Sequence, residues 1–270
     1  LIQILKDLHH LMTGAVAGMA MMAVAPSALA ICLPVASNPA GPIRLAGLTT
    51  VAAPAEGSLR LTFLGHSTFL IESPEDVAAV TDYNGYIRPD RVPDIATMNT
   101  AHSTHYTDSP DPGIGHVLRG WASGGGMAIH DVTVRDMRVR NVPTNLRDVG
   151  GTRMNGNSIF VFEAGGLCVA HLGHLHHTLT DQHLAELGVI DVLLVPVDGA
   201  YTMAQDYMVE VIDQIRPPVV IPMHYFGANT LNGFLQRMDN RYEVRMADSA
   251  TVTLSRQNLP YQQILVLPGG

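Results

Sequence analysis

Three apolar runs in this chain lead into histidines. Asp94-Ile-Ala-Thr-Met98 is followed by His102 and His105, Leu167-Cys-Val-Ala170 by His171 and His174, and Val219-Val-Ile-Pro-Met223 by His224. Short apolar runs bounded by turn residues read as buried strands, and polar groups at the ends of such strands meet at one rim of a sheet, where sites form. Imidazoles converging at a sheet edge point to a metal. His66, after Gly65 at another strand end, is a further candidate, either a general acid or a hydrogen-bond donor that supports the ligands. Asp82 also ends a strand, where it either accepts the second N–H of a ligating imidazole or forms the turn before Tyr83-Asn84-Gly85.

Side chains so placed need strands that end together. Residues 59–64, 68–72 and 77–82 read as three strands of a meander, separated by Gly65-His66 and Ser73-Pro74, and residues 95–98 as a fourth. The Gly- and Pro-rich stretch from Pro110 to Gly126, which contains Trp121, reads as a surface loop lining a cleft. Residues 127–142 alternate apolar and polar and predict one or two half-exposed antiparallel strands. A loop holding Gly150, Gly151 and Gly156 follows, and then residues 158–163 and 167–170 flank Ala164-Gly165-Gly166, a hairpin signal. Residues 179–187 read as a helix capped by Thr180, 191–197 as a strand, 204–215 as an amphipathic helix stopped by Pro217-Pro218, and 219–223 as another strand. A helix near 231–237 and strands around 252–254 and 264–267 complete the body. Strands dominate early and strand–helix alternation late, so the class is mixed α and β with helices layered on sheet.

The chain has 270 residues, 47% hydrophobic and 15% charged, enough to bury a core, and one domain over residues 58–270 is expected. Its formal charge of −8 and scattered basic residues argue against a nucleic-acid partner, because phosphate backbones need clustered Lys and Arg. A small-molecule substrate is the expectation, with oligomeric state open. Of the two cysteines, Cys168 reads as a small buried apolar residue, and an exported chain permits but does not demand a disulfide with Cys32.

Lys6, the apolar stretch over residues 11–25 and then Ser27-Ala28-Leu29-Ala30 read as a secretory signal cleaved after Ala30. The apolar stretch falls short of the ~20 residues that a membrane-spanning helix needs. The expectation is an exported protein, periplasmic or secreted, with no stable membrane association after cleavage. Residues 31–57, rich in Ala, Pro and Gly, read as a tether or a loose wrap on the domain.

Six segments occur in a telling order: Leu61-Thr-Phe-Leu-Gly-His-Ser-Thr-Phe-Leu-Ile-Glu72, Thr81-Asp82, the His102 and His105 cluster, His171-Leu-Gly-His174, Asp191-Val-Leu-Leu-Val-Pro-Val197, and Ile221-Pro-Met-His224. Together they resemble the metallo-β-lactamase superfamily, in its branch of ascorbate-phosphate-lactonase-like and N-acyl-phosphatidylethanolamine phospholipase-like hydrolases. The resemblance spans residues 59–267 and implies a four-layer αββα sandwich, an α+β fold with a metal site at one edge between the sheets. It also implies ligands that this chain carries only in part. Against the family's His-x-His-x-Asp-His segment, Thr100, His102, Thr104 and His105 stand on the ligand positions, so the first His and the Asp are missing. Asn145 or a neighbour in the loop of residues 142–147 replaces a later His, His174 replaces the bridging Asp, and His224 is unchanged.

The metal set that the resemblance implies is therefore His102, His105, His174 and His224, with His66 as the catalytic candidate. An imidazole has one lone pair and cannot bridge two ions as a carboxylate does, so one ion is expected rather than two. Imidazole donors suit zinc, with iron or manganese as the other candidates. Neutral ligands leave the ion its full charge, and a water bound to it reaches a pKa of about 7, giving a hydroxide that attacks an ester, lactone or phosphoester. His171 is an alternative ligand three residues from His174, Asp198 a carboxylate that could join the set, and His176 and His177 cleft-rim residues that are proton shuttles or merely solvated. Two other functions are open: a noncatalytic member that binds a ligand or partner in the old cleft, and a redox metal protein.

Overall fold

The computed structural model describes residues 52–124 and 126–269. Residues 1–30, expected to be a secretory signal, and most of the Ala/Pro/Gly-rich stretch lie outside the described residues. In chain order the strands are β1 (Ser58–Gly65), β2 (Thr68–Glu72), β3 (Ala78–Val80), β4 (Ile95–Met98), β5 (His116–Arg119), β6 (Asp131–Val134), β7 (Met137–Asp148), β8 (Gly151–Ala164) and β9 (Leu167–His171). Helix α1 (Asp181–Leu187), β10 (Val192–Pro196), α2 (Gln205–Ile215), β11 (Val219–Met223), α3 (Ala228–Arg237), β12 (Glu243–Met246), β13 (Thr251–Ser255) and β14 (Gln263–Val266) follow.

These strands form two sheets. One has the order β13-β1-β2-β3-β4-β5, the other β12-β14-β11-β10-β9-β8-β7-β6. The period of two along each strand decides which side chains meet between them. Leu59, Leu61 and Phe63 of β1 and Phe69 and Ile71 of β2 pack against Phe160 and Phe162 of β8, Leu194 of β10 and Ile221 of β11. The intervening residues Ile159, Val161, Leu193 and Val195 face the other way, onto Leu187 of α1, Met208, Val211 and Ile212 of α2, and Leu231 and Phe234 of α3. Strands covered on both faces must be apolar throughout, which is why β10 and β11 are unbroken buried runs. Each such side chain contributes roughly 1.5–3 kcal/mol by leaving water. The outer face of the first sheet is covered by loops, with Tyr83, Ile114, Tyr106 and Trp121 packed on Val80, Ala96 and Met98. No described helix is long and apolar enough to cross a membrane.

Local chemistry sets the element ends. Thr180 caps α1 by accepting from the His183 N–H, while its own N–H donates to His183 Nδ1 at 3.2 Å, a reciprocal capping box. Helix α2 ends on Arg216 in the left-handed region, and Pro217-Pro218 prevents continuation. Cys168 is buried on β9 and is not a free thiol.

Three expectations need correction. The stretch from Pro110 to Gly126 holds an edge strand, β5, parallel to β4, and its Trp121 packs edge-to-face with Tyr106, ring centroids 5.5 Å apart, instead of lining the histidine cleft. Residues 142–156 are not loops, apart from the two-residue turn at 149–150. They are the outer arms of the β7–β8 hairpin, paired Leu146 to Arg153, Arg147 to Thr152 and Asp148 to Gly151 beyond a bulge between Thr144 and Leu146. Strand β12 was not expected at all, because all four of its residues are exposed and it pairs only with β14.

Candidate metal centre

Strands β9, β10 and β11 are parallel to one another, as are β3 and β4, so their C-terminal ends fall together. That is where a layered sheet places sites. His171 ends β9 and His174 follows it, Asp198 follows β10, His224 follows β11, Asp82 follows β3, and Asn99, His102 and His105 follow β4. The β1–β2 turn adds His66, whose carbonyl accepts the His224 N–H at 2.7 Å. This bond helps tie the two sheets together at the site. His66, Asp82 and His224 all hold positive φ, of 52°, 44° and 53°. Left-handed backbone costs a non-glycine residue of order 1 kcal/mol or more and gathers where the fold over-determines a functional geometry.

Ring centroids of His66, His174 and His224 lie 5.3, 5.0 and 5.0 Å from that of His105. The ligand atoms of His66, His105 and His224 are all within 4.8 Å of one another. Two carboxylates orient these rings. His105 Nδ1 lies 2.6 Å from Asp82 Oδ2 and His224 Nδ1 lies 3.2 Å from Asp198 Oδ2, each donating its hydrogen. Burial would raise the Asp82 carboxyl, but His105 and His171 beside it hold it well below the usual carboxylate range. Burial likewise opposes ionisation of Asp198, and the hydrogen bonds from His224, the Thr202 hydroxyl and the Ala200 and Thr202 amides overcome it.

With both Nδ1 hydrogens given to carboxylates, the Nε2 atoms of His105 and His224 carry lone pairs. Yet these two nitrogens face each other at 3.1 Å. Two lone pairs repel at that distance unless a cation lies between them. Two nitrogens at 2.0–2.1 Å from one tetrahedral zinc stand about 3.4 Å apart, close to the observed separation. His66 Nε2 and His174 Nε2 are also buried without a protein partner, an expensive state for a polar atom unless something else binds it. Neutral imidazole is the form a metal binds. Burial first, then the neighbouring His224 and His105, pushes His66 down to about 4. Burial with His105 and His224 pushes His174 down to about 2. The donor set fits a metal ion.

The other candidates fall into separate places. His102 is exposed at the mouth, its ring 4.8 Å from His174 and 6.0 Å from His105. His171 spends both ring nitrogens, donating through Nε2 to the Ser67 carbonyl at 2.8 Å and accepting from the Gly173 N–H at 3.1 Å, so it has no lone pair left for an ion. Asp198 Oδ1 accepts three backbone amides, of Ala200, Tyr201 and Thr202, which makes it a brace for His224. His176 Nε2 lies 2.7 Å from His174 Nδ1. His177 Nε2 accepts the Asn145 N–H at 3.0 Å, and Asn145 Oδ1 accepts from Asn155, so Asn145 is used within the hairpin.

Sequence reading missed two buried asparagines. Asn99 donates to Asp82 Oδ1 at 3.2 Å and accepts the Ser158 N–H at 2.8 Å, linking the first sheet's carboxylate to the second sheet. Asn157 Oδ1 accepts the His174 N–H at 2.8 Å. Both reach under the site because Gly173, at φ +60°, has no side chain: a Cβ there would stand 2.4 Å from Asn99 Nδ2 and 2.6 Å from Asn157 Oδ1. That glycine, between two histidines after a buried strand, was the available signal. Above the centre opens a cleft of about 610 Å³, lined by His102, His174, His176, Tyr201 and the β7–β8 hairpin.

Comparisons with known proteins agree with the fold. Residues 60–224 match the family model described as "Beta-lactamase superfamily domain". Among curated relatives, a UPF0173 protein of Pyrococcus abyssi is 26% identical over 208 residues, 68% of this chain and 92% of its own length. A UPF0173 metal-dependent hydrolase of Opitutus terrae is 29% identical over 193 residues, 62% of this chain and 85% of its own. A crystal structure of a metallo-β-lactamase superfamily protein from Thermotoga maritima superposes with a TM-score of 0.55 at 30% identity, covering 77% of this chain and 98% of that one.

Proposed function

The chain belongs to the metallo-β-lactamase superfamily, and on that premise we propose that it is a metal-dependent hydrolase cleaving an ester, lactone or phosphoester bond of a small molecule. Relatives named metal-dependent hydrolases support the first half of this reading. The observation that carries it is the pair of carboxylate-braced imidazoles whose Nε2 lone pairs face each other at 3.1 Å.

His66, His105 and His224 would hold one ion, for which zinc is proposed on the strength of the all-imidazole donor set. Three protein donors leave a position open, the pattern of catalytic zinc sites. A bound divalent ion supplies Lewis acidity there, making water acidic near neutral pH and polarising an oxygen of the scissile group. Asp82 and Asp198 fix the tautomers of His105 and His224, so that Nε2 faces the centre, and increase the basicity of both rings. His174 lines the cleft while His66, His105 and His224 do not. Hydrogen-bonded to His176 and neutral at pH 7, it is placed to orient a substrate by a hydrogen bond from the cleft wall, with His102 beside it at the mouth. This division moves His66 into the ligand set and His102 and His174 out of it, relative to the resemblance-based assignment.

Metal content and turnover test it together. The purified chain is expected to carry about one equivalent of metal and to lose ester, lactone or phosphodiester hydrolysis when chelated. Replacing His66, His105 or His224 by Ala should abolish both metal and activity, whereas His174→Ala should keep the metal and lower kcat/KM by about tenfold or more, the scale of a lost substrate hydrogen bond. A metal-free protein inactive with every added ion would leave a noncatalytic binding protein. For location we propose export, on the apolar run over residues 11–25, and cell fractionation checks it.

A further inference from the structure

The cleft above the imidazole centre is cationic on an acidic protein. The chain's net charge is −8, yet among the described residues the cleft is lined by Arg147 and Arg153 and by no Asp or Glu. Eight of the twelve other arginines in the described residues pair with carboxylates, Arg88, Arg119, Arg216 and Arg245 being the exceptions, and none of those four lines this cleft. Arg147 and Arg153 make no such pair among the described residues, although surplus acid is the rule on this surface.

Their placement is built into the hairpin. A bulge between Thr144 and Leu146 and the left-handed Asn155, at φ 55°, bend the outer arms of β7 and β8 over the cleft. Gly156 then leaves room for the Arg153 side chain, because a Cβ there would stand 2.8 Å from Arg153 Nε and 2.9 Å from Leu146 Cβ. Arg153 Nη2 donates to the Thr100 carbonyl at 3.2 Å, which lays the guanidinium across the mouth next to His102. One N–H contact uses little of a guanidinium that has five donors, and the rest of the fork is available to a ligand.

We propose that the substrate carries an anionic group, a carboxylate or a phosphate, separate from the bond that is cleaved, and that Arg147 and Arg153 bind it at the cleft mouth. A planar fork matches either oxyanion in bidentate geometry, and two unpaired cations in a cleft draw anions from solution. The identity of the cleaved bond rests on the hydrolase reading above; recognition of the anion does not.

Titration calorimetry on the full chain, as isolated and after chelation, tests the proposal with three probes: monomethyl glutarate, phenyl phosphate and the neutral dimethyl glutarate. One of the two anions is expected to bind more tightly than the neutral diester, and the stronger of them identifies the oxyanion. In the Arg147→Gln/Arg153→Gln double variant that preference should fall by about tenfold or more, the scale of lost charge-assisted hydrogen bonds. If the double variant does not fold, rising salt should erode the wild-type preference instead, since exposed cations are screened. Equal binding of charged and neutral probes, or a preference that survives both the substitutions and salt, overturns the proposal. Arginine-dependent anion binding in a protein that hydrolyses nothing would sink the hydrolase reading and leave this one standing. If turnover is present, the ratio of kcat/KM for an anionic ester over its neutral counterpart should fall in the double variant to the same extent.

Discussion

At the scale of single residues, the site depends on hydrogens that the ligands give away. Asp82 and Asp198 each accept an Nδ1 hydrogen, and each is itself held ionised by several donors. Asp198→Asn keeps the shape but weakens the brace on His224. Metal affinity, read by competition with a chromophoric chelator, is expected to drop about 10–100-fold. An unchanged affinity would show that His224 needs no brace and that the tautomer argument is wrong. Of these groups, Asp82 could be read in the sequence because it ends an apolar run. Asn99 and Asn157 could not, since nothing in residue type or spacing announces which buried amide will reach across to the other sheet.

At the scale of elements, Gly173 decides whether both asparagines fit beneath the histidines. Gly173→Ala adds a Cβ 2.4 Å from Asn99 Nδ2 in a left-handed backbone, and urea unfolding should show a loss of about 2–4 kcal/mol, combining overpacking with the conformational penalty. Legibility follows burial here. Strands β2, β4 and β11 run between the residues that their sequence indicates, because each is an apolar run stopped by turn residues and buried along its whole length. Strands β5 and β12 pair with a single neighbour, and β12 is exposed throughout while β5 buries only Leu118, so neither is long enough or apolar enough to carry a periodic signal. The hairpin tip misled for a different reason: Gly150 does lie in the turn, but Gly151 and Gly156, which also signal turns, sit within strand β8, where the two-stranded ladder begins at Gly151.

At the scale of the molecule, burying neutral imidazoles makes stability depend on pH. His66, His174 and His176 titrate at about 4, 2 and 4 in the folded chain, against 6.5 for an unperturbed histidine. Below about pH 6.5 the unfolded chain therefore binds more protons than the native one, so stability rises with pH in this range and falls on acidification. Thermal melts of chelated protein should show a Tm that declines steadily from pH 7 to pH 5. A Tm that is flat or higher at pH 5 would mean that these rings are solvated.

The histidines at the rim come from both halves of the sandwich, His66 and His105 from one sheet, His174 and His224 from the other, joined by the His224 N–H on the His66 carbonyl. Residues far apart along the polypeptide are thereby stapled at the histidine end, while the opposite end is held by Arg256 on the Asp191 carboxylate and the Gly166 carbonyl, contacts that involve none of the candidate ligands. Breathing of the two leaves should accordingly be lopsided. In hydrogen–deuterium exchange, chelation is expected to speed amide exchange around residues 65–68 and 222–225 and to leave residues 243–246 as they were.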